Sequence, residues 1–460
     1  MRLTKELTNI VENLENLLSS EKIELIAKSS NFVKRKSPLS GCPFLYLNMS
    51  SIGSTGFCSL TESCIQLSKE HGIKISKQGL DERYHKESVK FVKEVLSKLL
   101  RLRLDSISSL DLGILRMFKG VYLRDATTSQ LPKCLMKLFK GSGGSASKAA
   151  IKVELQYDLI GETINMEFRN GASSDSTSLD NEYKAGSLYL QDLGYFKIGR
   201  FAKIIKSKAS FISRYKHNTN IYLGEGSSKK SEKSKEKQVK LEILTKGMKV
   251  NDIRSTPIYL GMYQRLPVRL VIQKLPRKVA DKRKRKVKED ARRKGYTASK
   301  ERLKAAAYSF FITNIDIGIL SAKQIIQTYK IRCLSRFLGG QIEIMFKCWK
   351  SIMSFGETHP MKPQRFLCML YGQMIWITLT MKMTNWFKKI CQLRYKIELS
   401  ELKSFKLLKI YQDEFIKILI TNDYKNKDLE HFIHNLFQQA FIFAEKECKK
   451  NNPNPLFATS

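Results

Sequence analysis

The sequence predicts an α/β chain in which helical regions flank a strand-rich centre. Three observations carry that expectation. Apolar residues recur at helical spacing through the first hundred residues and again after about residue 320. Between about 116 and 216 lie short β-type runs bounded by turn residues. A long basic stretch, 217–307, separates these runs from one further strand-like segment, SFFITNI at 309–315.

Residues 1–115 form the helical N-terminal region. Leu7, Ile10, Val11, Leu14, Leu17 and Leu18 make one apolar stripe, and Val89, Val92, Leu96, Leu99 and Leu100 make another. Between them, LTESCIQLSKEHGIKISKQGLDERY (60–84) reads as a helix, a break at His71-Gly72, and a second helix capped by Ser76. This is the form of a helix-turn-helix, with Lys77, Gln78 and Arg83 facing DNA, or of an ordinary αα-hairpin.

Residues 116–216 carry the first strands. GVYLRD (120–125), AIKVELQYDLI (150–160), TINMEFRNG (163–171) and GSLYLQD (186–192) have β-type content, and IIKSKASFISRYK (204–216) reads as a strand after a short helix. Residues 217–307 read as a different, β-rich module. GEGSSKKSEKSKEK (224–237) is a polar tip or linker, and VKLEIL, TPIYLGM and VRLVIQKL are β-like. The run 277–304 then holds 14 Lys/Arg against 4 Asp/Glu. So one-sided a charge run suits phosphate contact better than a merely solvated helix face. Residues 308–395 continue the central unit, and 396–460 form a helical C-terminal region ending in the polar NNPNPLFATS.

Composition narrows the partners. Lys and Arg total 82 against 43 Asp and Glu, a net charge of +39. Such self-repulsion is relieved by a polyanion: DNA, RNA or an anionic membrane. The most apolar stretch, FLCMLYGQMIWITLTM at 366–381, falls short of the ~18 residues of a membrane span. It is expected to be a buried helix, with no membrane partner. Nine Cys without a C-x-x-C pair suggest reduced thiols rather than a disulfide frame or zinc site. No signal peptide is visible, so a cytoplasmic setting is expected. GSGGSASK lacks the P-loop pattern, so no nucleotide cofactor is expected. Trp349, Trp376 and Trp386 read as core residues.

Three carboxylates stand out. Asp125 (VYLRD, then ATTSQLP) and Asp192 (LYLQD, then LGYF) each end an expected strand, and Glu343 lies in the helix-like QIEIMFKCWK. If they meet, they can hold Mg²⁺, with Mn²⁺ as a substitute, because hard cations need oxygen ligands. Two such ions about 4 Å apart activate the attacking oxygen and stabilise the leaving one.

YLRDATTSQLP, LYLQDLGYF, SFISRYKHN and FFITNI, in this order, resemble the bacterial insertion-sequence transposases of the IS4 type, which carry a DDE triad. Tyr329 and Arg332, with two residues between them, and Glu343 and Lys350, with six between them, resemble the halves of that family's Tyr-x2-Arg-x3-Glu-x6-Lys pattern. NFVKRKSPLSG and SKQGLDERY also look like this family, so the resemblance spans about residues 30 to 390. It implies an RNase H-like core interrupted by a β-rich insertion. Asp125 falls on its first strand, Asp192 on its fourth and Glu343 on a later helix, as catalytic and metal-binding residues. Tyr329, Arg332, Lys350, Arg214 and Lys216 match positions that contact DNA. The implied partner is double-stranded DNA, both terminal inverted repeats and target, bound by a homodimer. The implied setting is the bacterial or archaeal nucleoid. One departure is visible: ten residues, CLSRFLGGQI, stand between Arg332 and Glu343 where the family has three. Gly339-Gly340 disfavours a continuous helix there, so a looped-out insertion or a helix restarting near Gln341 is expected, with Arg336 as an alternative to Arg332. A catalytically inactive, transposase-derived DNA-binding protein is the alternative to an active enzyme.

Overall fold

In a computed structural model of the chain, the described residues are 4–35, 37–50, 52–53, 56–101, 113–144, 146–161, 163–174, 183–223, 237–334, 346–351, 359–420 and 426–446. The N-terminal helices form where periodicity and caps place them. Helix α1 (Thr4–Leu18) buries Ile10, Val11, Leu14 and Leu18. Helix α2 (Ser20–Ser29) supplies Glu24, whose carboxylate accepts hydrogen bonds from Ser40 Oγ (2.8 Å) and from the backbone N–H groups of Gly41 (3.1 Å) and Cys42 (2.8 Å). It thereby satisfies donors that α3 (Gly41–Ser50) leaves open at its first turn. A two-stranded ribbon follows, β1 (Ile52–Gly53) with β2 (Gly56–Phe57).

Helix α4 (Leu60–His71) starts on a Ser59/Glu62 capping box and stops at Gly72, whose φ of 66° is the left-handed conformation that glycine adopts without strain. Ser76 Oγ accepts from the Gly79 N–H and opens α5 (Lys77–Glu82), so the break and both caps lie where the sequence puts them. Lys77 and Gln78 are exposed. Arg83, expected to face DNA, is half-buried instead: Nη2 donates to the Leu39 carbonyl (3.0 Å) and the guanidinium lies 4.8 Å from the Phe32 ring centroid. Helix α6 (Lys86–Arg101) buries Phe91, Val92, Val95, Leu96 and Leu99.

A ten-stranded mixed sheet forms the centre. Its strands are β3 (Val121–Leu131), β4 (Ala149–Asp158), β5 (Thr163–Asn170), β6 (Leu188–Gln191), β7 (Ser210–Arg214), β8 (Ile221–Leu223), β9 (Lys237–Gln238), β10 (Ile253–Leu260), β11 (Leu266–Lys274) and β12 (Tyr308–Thr313). The spatial order is β5-β4-β3-β6-β7-β12-β11-β10-β8-β9. Strand β3 pairs antiparallel with β4, and β4 with β5, whereas β3, β6 and β7 run parallel. Helix α7 (Ile198–Lys206) makes the crossover that the parallel pair β6–β7 requires.

Three sequence expectations change here. Strand β3 does not end at Asp125. It continues to Leu131 because Ala126–Leu131 pairs with Ala149–Glu154 of β4, so these polar residues satisfy their backbone across the sheet. VKLEIL is not a strand. Most of it is helix α8 (Leu241–Thr245), a run too short for periodicity to separate the two alternatives. The strands of 217–307 also join the central sheet rather than forming one of their own, since β12 pairs with both β7 and β11. The basic run becomes α9 (Arg277–Arg293) and α10 (Lys300–Ala305). Only Ala280 and Ala291 of α9 are buried.

Helices α11 (Ala322–Leu334), α12 (346–351), α13 (Pro363–Ile390), α14 (Glu401–Ile410), α15 (Gln412–Ile420) and α16 (Asn426–Phe443) complete the described fold. Among the described residues, α13 with its terminal turn is the helix long and apolar enough to cross a membrane, yet 94% of its apolar window is buried inside the protein. It serves as the central core helix, packed on α3 and α6. One apolar cluster runs through α1–α6, one face of the sheet, and α11–α16. A second covers the opposite face with α7 and α8. Trp349, Trp376 and Trp386 are all buried in the first.

At Gly372 of α13, an added Cβ would sit 2.4 Å from the Asn48 carbonyl oxygen of α3. Backbone cannot yield as a flexible side chain can. Gly372→Ala is therefore expected to destabilise the fold by about 1–3 kcal/mol, read as a lower urea midpoint at unchanged m-value.

Candidate active site

Strand register brings the two aspartates together. Strand β3 pairs with β6 through Val121–Leu188, Tyr122–Tyr189 and Leu123–Leu190. Strand β6 pairs with β7 through Leu188–Ser210 up to Gln191–Ser213. Continued along the strands, that register sets Asp125 beside Asp192, and Asp192 beside Arg214. Asp192 keeps an extended backbone (φ −83°, ψ 167°), so the alternation of side chains holds to that position. Asp125 shares a face with Val121 and Leu123, Asp192 with Leu188 and Leu190, and Arg214 with Ile212. Those apolar residues belong to the cluster that α11–α13 complete. Two carboxylates and a guanidinium therefore form one row across neighbouring strands, which lie about 4.8 Å apart.

Both aspartates are half-buried. Asp125 Oδ1 accepts from the Ala126 N–H at 2.9 Å. The Asp192 carbonyl accepts from the Tyr195 N–H at 3.0 Å and turns the chain out of the sheet. Arg214 is half-buried and Lys216, two residues on, is exposed.

The helices over this row bring further motif residues. Tyr329 of α11 is 1% exposed. Its hydroxyl lies 3.3 Å from the Gln191 carbonyl, next to Asp192, and its ring centroid is 5.0 Å from that of Phe311. The side chain, almost wholly buried, braces the end of β6. Tyr329→Phe removes only the hydroxyl and is thus expected to change stability by only ~1 kcal/mol, which a thermal melt of parent and variant measures.

Lys350 of α12 is exposed, and Nζ donates to the Thr128 carbonyl of β3 at 2.9 Å. Thr128 lies three residues beyond Asp125. Phe346, Cys348 and Trp349 anchor the helix in the core, so the end of α12 reaches the strand that carries Asp125. Arg332 falls within α11. Glu343, Arg336 and Gly339-Gly340 lie outside the described residues, as does most of CLSRFLGGQI. Among the described residues no three His, Cys, Asp or Glu side chains gather at metal-binding distance.

Sequence reading missed a support beneath the row. Arg124, 3% exposed, points to the opposite face from Asp125. Its Nε donates to Gln156 Oε1 of β4 at 2.5 Å, and its guanidinium lies 5.6 Å and 5.9 Å from the ring centroids of Tyr183 and Tyr189. The signal was a cation inside the otherwise apolar VYL run, since charges are rarely buried unless paired.

A family profile described as "Transposase DDE domain" matches residues 116–379. The chain is 31% identical over 468 residues to the transposase for insertion sequence element IS1151 of Clostridium perfringens, covering 99% of this chain and 97% of that protein. It is 30% identical over 446 residues to the IS231B transposase of Bacillus thuringiensis subsp. berliner, covering 94% and 91%. With the IS231F transposase of Bacillus thuringiensis subsp. israelensis it shares 30% over 421 residues, covering 89% and 86%. Profile and relatives both span the row of Asp125, Asp192 and Arg214: this chain belongs to the DDE transposase family, among the IS4-type transposases of insertion sequence elements.

Proposed function

We propose that the chain cuts and joins DNA at insertion-sequence ends by metal-dependent phosphodiester chemistry centred on Asp125 and Asp192. One observation carries the reading: register on parallel strands sets these two carboxylates side by side on the face that α11 and α12 cover. The order β5-β4-β3-β6-β7, with three antiparallel and three parallel strands sharing β3, supports an RNase H-like core. Strands β8–β11 and helices α8–α10 are then the insertion.

Adjacent hard-oxygen donors on a half-buried sheet suit Mg²⁺ or Mn²⁺, and Glu343 is assigned as the third carboxylate. When bound, such ions raise the acidity of a water and stabilise charge on the leaving oxygen. The remaining work falls to the chain. Asp125 and Asp192 fix where the scissile phosphate can sit. Arg214, next in the row, and the exposed Lys216 and Lys350 attract neighbouring phosphates, with Arg332 assigned to the same task. Tyr329 holds the Gln191 carbonyl and so the position of Asp192.

Water attacks first and frees a 3′-hydroxyl at the element end. That hydroxyl attacks the opposite strand to form a hairpin, hydrolysis reopens it, and the hydroxyl then joins target DNA. The two hydrolyses each break a phosphodiester to a 3′-hydroxyl and a 5′-phosphate, and hairpin formation and target joining each replace one phosphodiester by another while expelling a 3′-hydroxyl, so no nucleotide cofactor is needed. Helices α4 and α5 engage the terminal inverted repeats through Lys77 and Gln78. Two chains pair the two ends at the nucleoid.

The test is Mg²⁺-dependent nicking of duplex DNA bearing the element's ends, against duplexes of scrambled sequence. End-dependent cuts are expected. Tight binding without cutting in Mg²⁺ or Mn²⁺ would mark a non-catalytic DNA-binding descendant. The exposed lysines of α9 make a separate forecast. Lys282→Ala combined with Lys286→Ala should lower the slope of log K against log salt by ~2, because two phosphate contacts and their counterions are lost. Fluorescence anisotropy from 50 to 300 mM salt, as a rough range, reads that slope.

A further inference from the structure

A cavity of about 1000 Å³ lies between the ends of β7, β11 and β12 and helices α8–α10. It is on the other side of the sheet from the Asp125–Asp192 row, since Tyr308 and Phe310 in its wall pack with the second apolar cluster. One wall is aromatic. The ring of Phe310 lies 5.8 Å from that of His217 and 5.9 Å from that of Tyr308. The rest is cationic, with six lysines against two glutamates. Lys274 places its amine 5.9 Å from the Tyr308 ring centroid. Lys284 and Lys288 stand one turn apart on α9, so both amines face the cavity from one side.

We propose that this cavity binds a free nucleoside phosphate. A base needs apolar ring surface, and phosphates need flexible ammonium donors in excess of carboxylates. The cavity supplies the rings and, with Lys304 paired to Glu242 at 3.1 Å, five further lysines against Glu301, within the volume of a small-ligand pocket, whereas duplex DNA lies across a surface. No P-loop is involved and no bond is broken: the ligand is only bound. The consequence is regulatory. Lys284 and Lys288 belong to the same basic helix that is assigned to DNA phosphates. A bound nucleotide neutralises them and loosens the grip of α9 on DNA.

The experiment titrates the full chain with a fluorescent ADP analogue, then competes it with unlabelled ADP and with pyrophosphate. ADP is expected to compete at least about tenfold better than pyrophosphate, because only ADP uses the aromatic wall. Lys284→Ala with Lys288→Ala should weaken ADP about tenfold or more. Lys282→Ala with Lys286→Ala, on the opposite face of α9, should leave ADP binding unchanged, with circular dichroism confirming both folds. Absence of ADP binding to the folded parent overturns the proposal. Equal losses in the two double variants also overturn it, since they would mark general attraction to a polycation. So does parity between pyrophosphate and ADP.

Discussion

Asp192→Asn and Asp125→Asn are each expected to abolish strand cleavage while leaving DNA binding within about threefold. The exchange preserves shape and keeps one carbonyl oxygen, so β6 and β3 should remain in register. What disappears is the formal charge that a divalent cation requires of its few protein ligands. Loss of metal stabilisation is worth several kcal/mol of barrier, which amounts to about a thousandfold or more in rate. Asp192 follows immediately after β6, and Asp125 sits inside β3 with paired residues on both sides. Neither position depends on its carboxylate for backbone pairing within the sheet. Single-turnover nicking of end-bearing DNA measures the effect, and anisotropy controls for binding. Cleavage by the double variant within tenfold of the parent would remove this row from the chemistry.

Trp376→Ala should produce the largest loss of stability, about 3–5 kcal/mol. Trp376 lies in the middle of α13 with no exposed surface, and its ring centroid is 5.8 Å from that of Phe415 in α15. Removal of the indole leaves a cavity between helices that cannot close up, because one turn away on the same face α13 already meets the Asn48 backbone at Gly372. Domain stabilities are typically 5–15 kcal/mol, so such a loss shifts the unfolding transition strongly. The apolar cluster around α13 also includes residues of α1–α6 and α14–α16. The whole transition should therefore move as one, whether it is followed by far-ultraviolet circular dichroism or by tryptophan fluorescence. A shift below about 1 kcal/mol, or a split transition, would show that the terminal helices do not share that core.

Legibility varied with the range of the interaction involved. Gly72 and Ser76 could be read as a stop and a cap because each acts on amides or carbonyls within four residues. The apolar stripe of α6 was equally plain, since burial follows the helical period. Asp125 was misplaced as a strand end because ATTSQL carries no strong β signal. Its strand character comes from β4, which begins some eighteen residues further along the sequence. Arg83 looked free for DNA, and only the fold reveals Leu39 and Phe32 as its neighbours. Tyr329 resembles a DNA-contacting residue by motif, and only the fold reveals the Gln191 carbonyl as the partner of its hydroxyl.

By itself, the sequence determined that this is a strongly basic α/β chain with helices at both ends, that Asp125 and Asp192 stand in strand settings, and which family motifs surround them. Those properties follow from local propensity, periodicity and total charge, none of which requires knowing which segments touch. Only the tertiary structure decided that β6 lies between β3 and β7, and that the sheet continues without a break into residues 217–307. Pairing partners are chosen by backbone groups that must find hydrogen bonds and by apolar faces that must find one another. Those choices connect residues more than sixty positions apart, as Asp125 and Asp192 are.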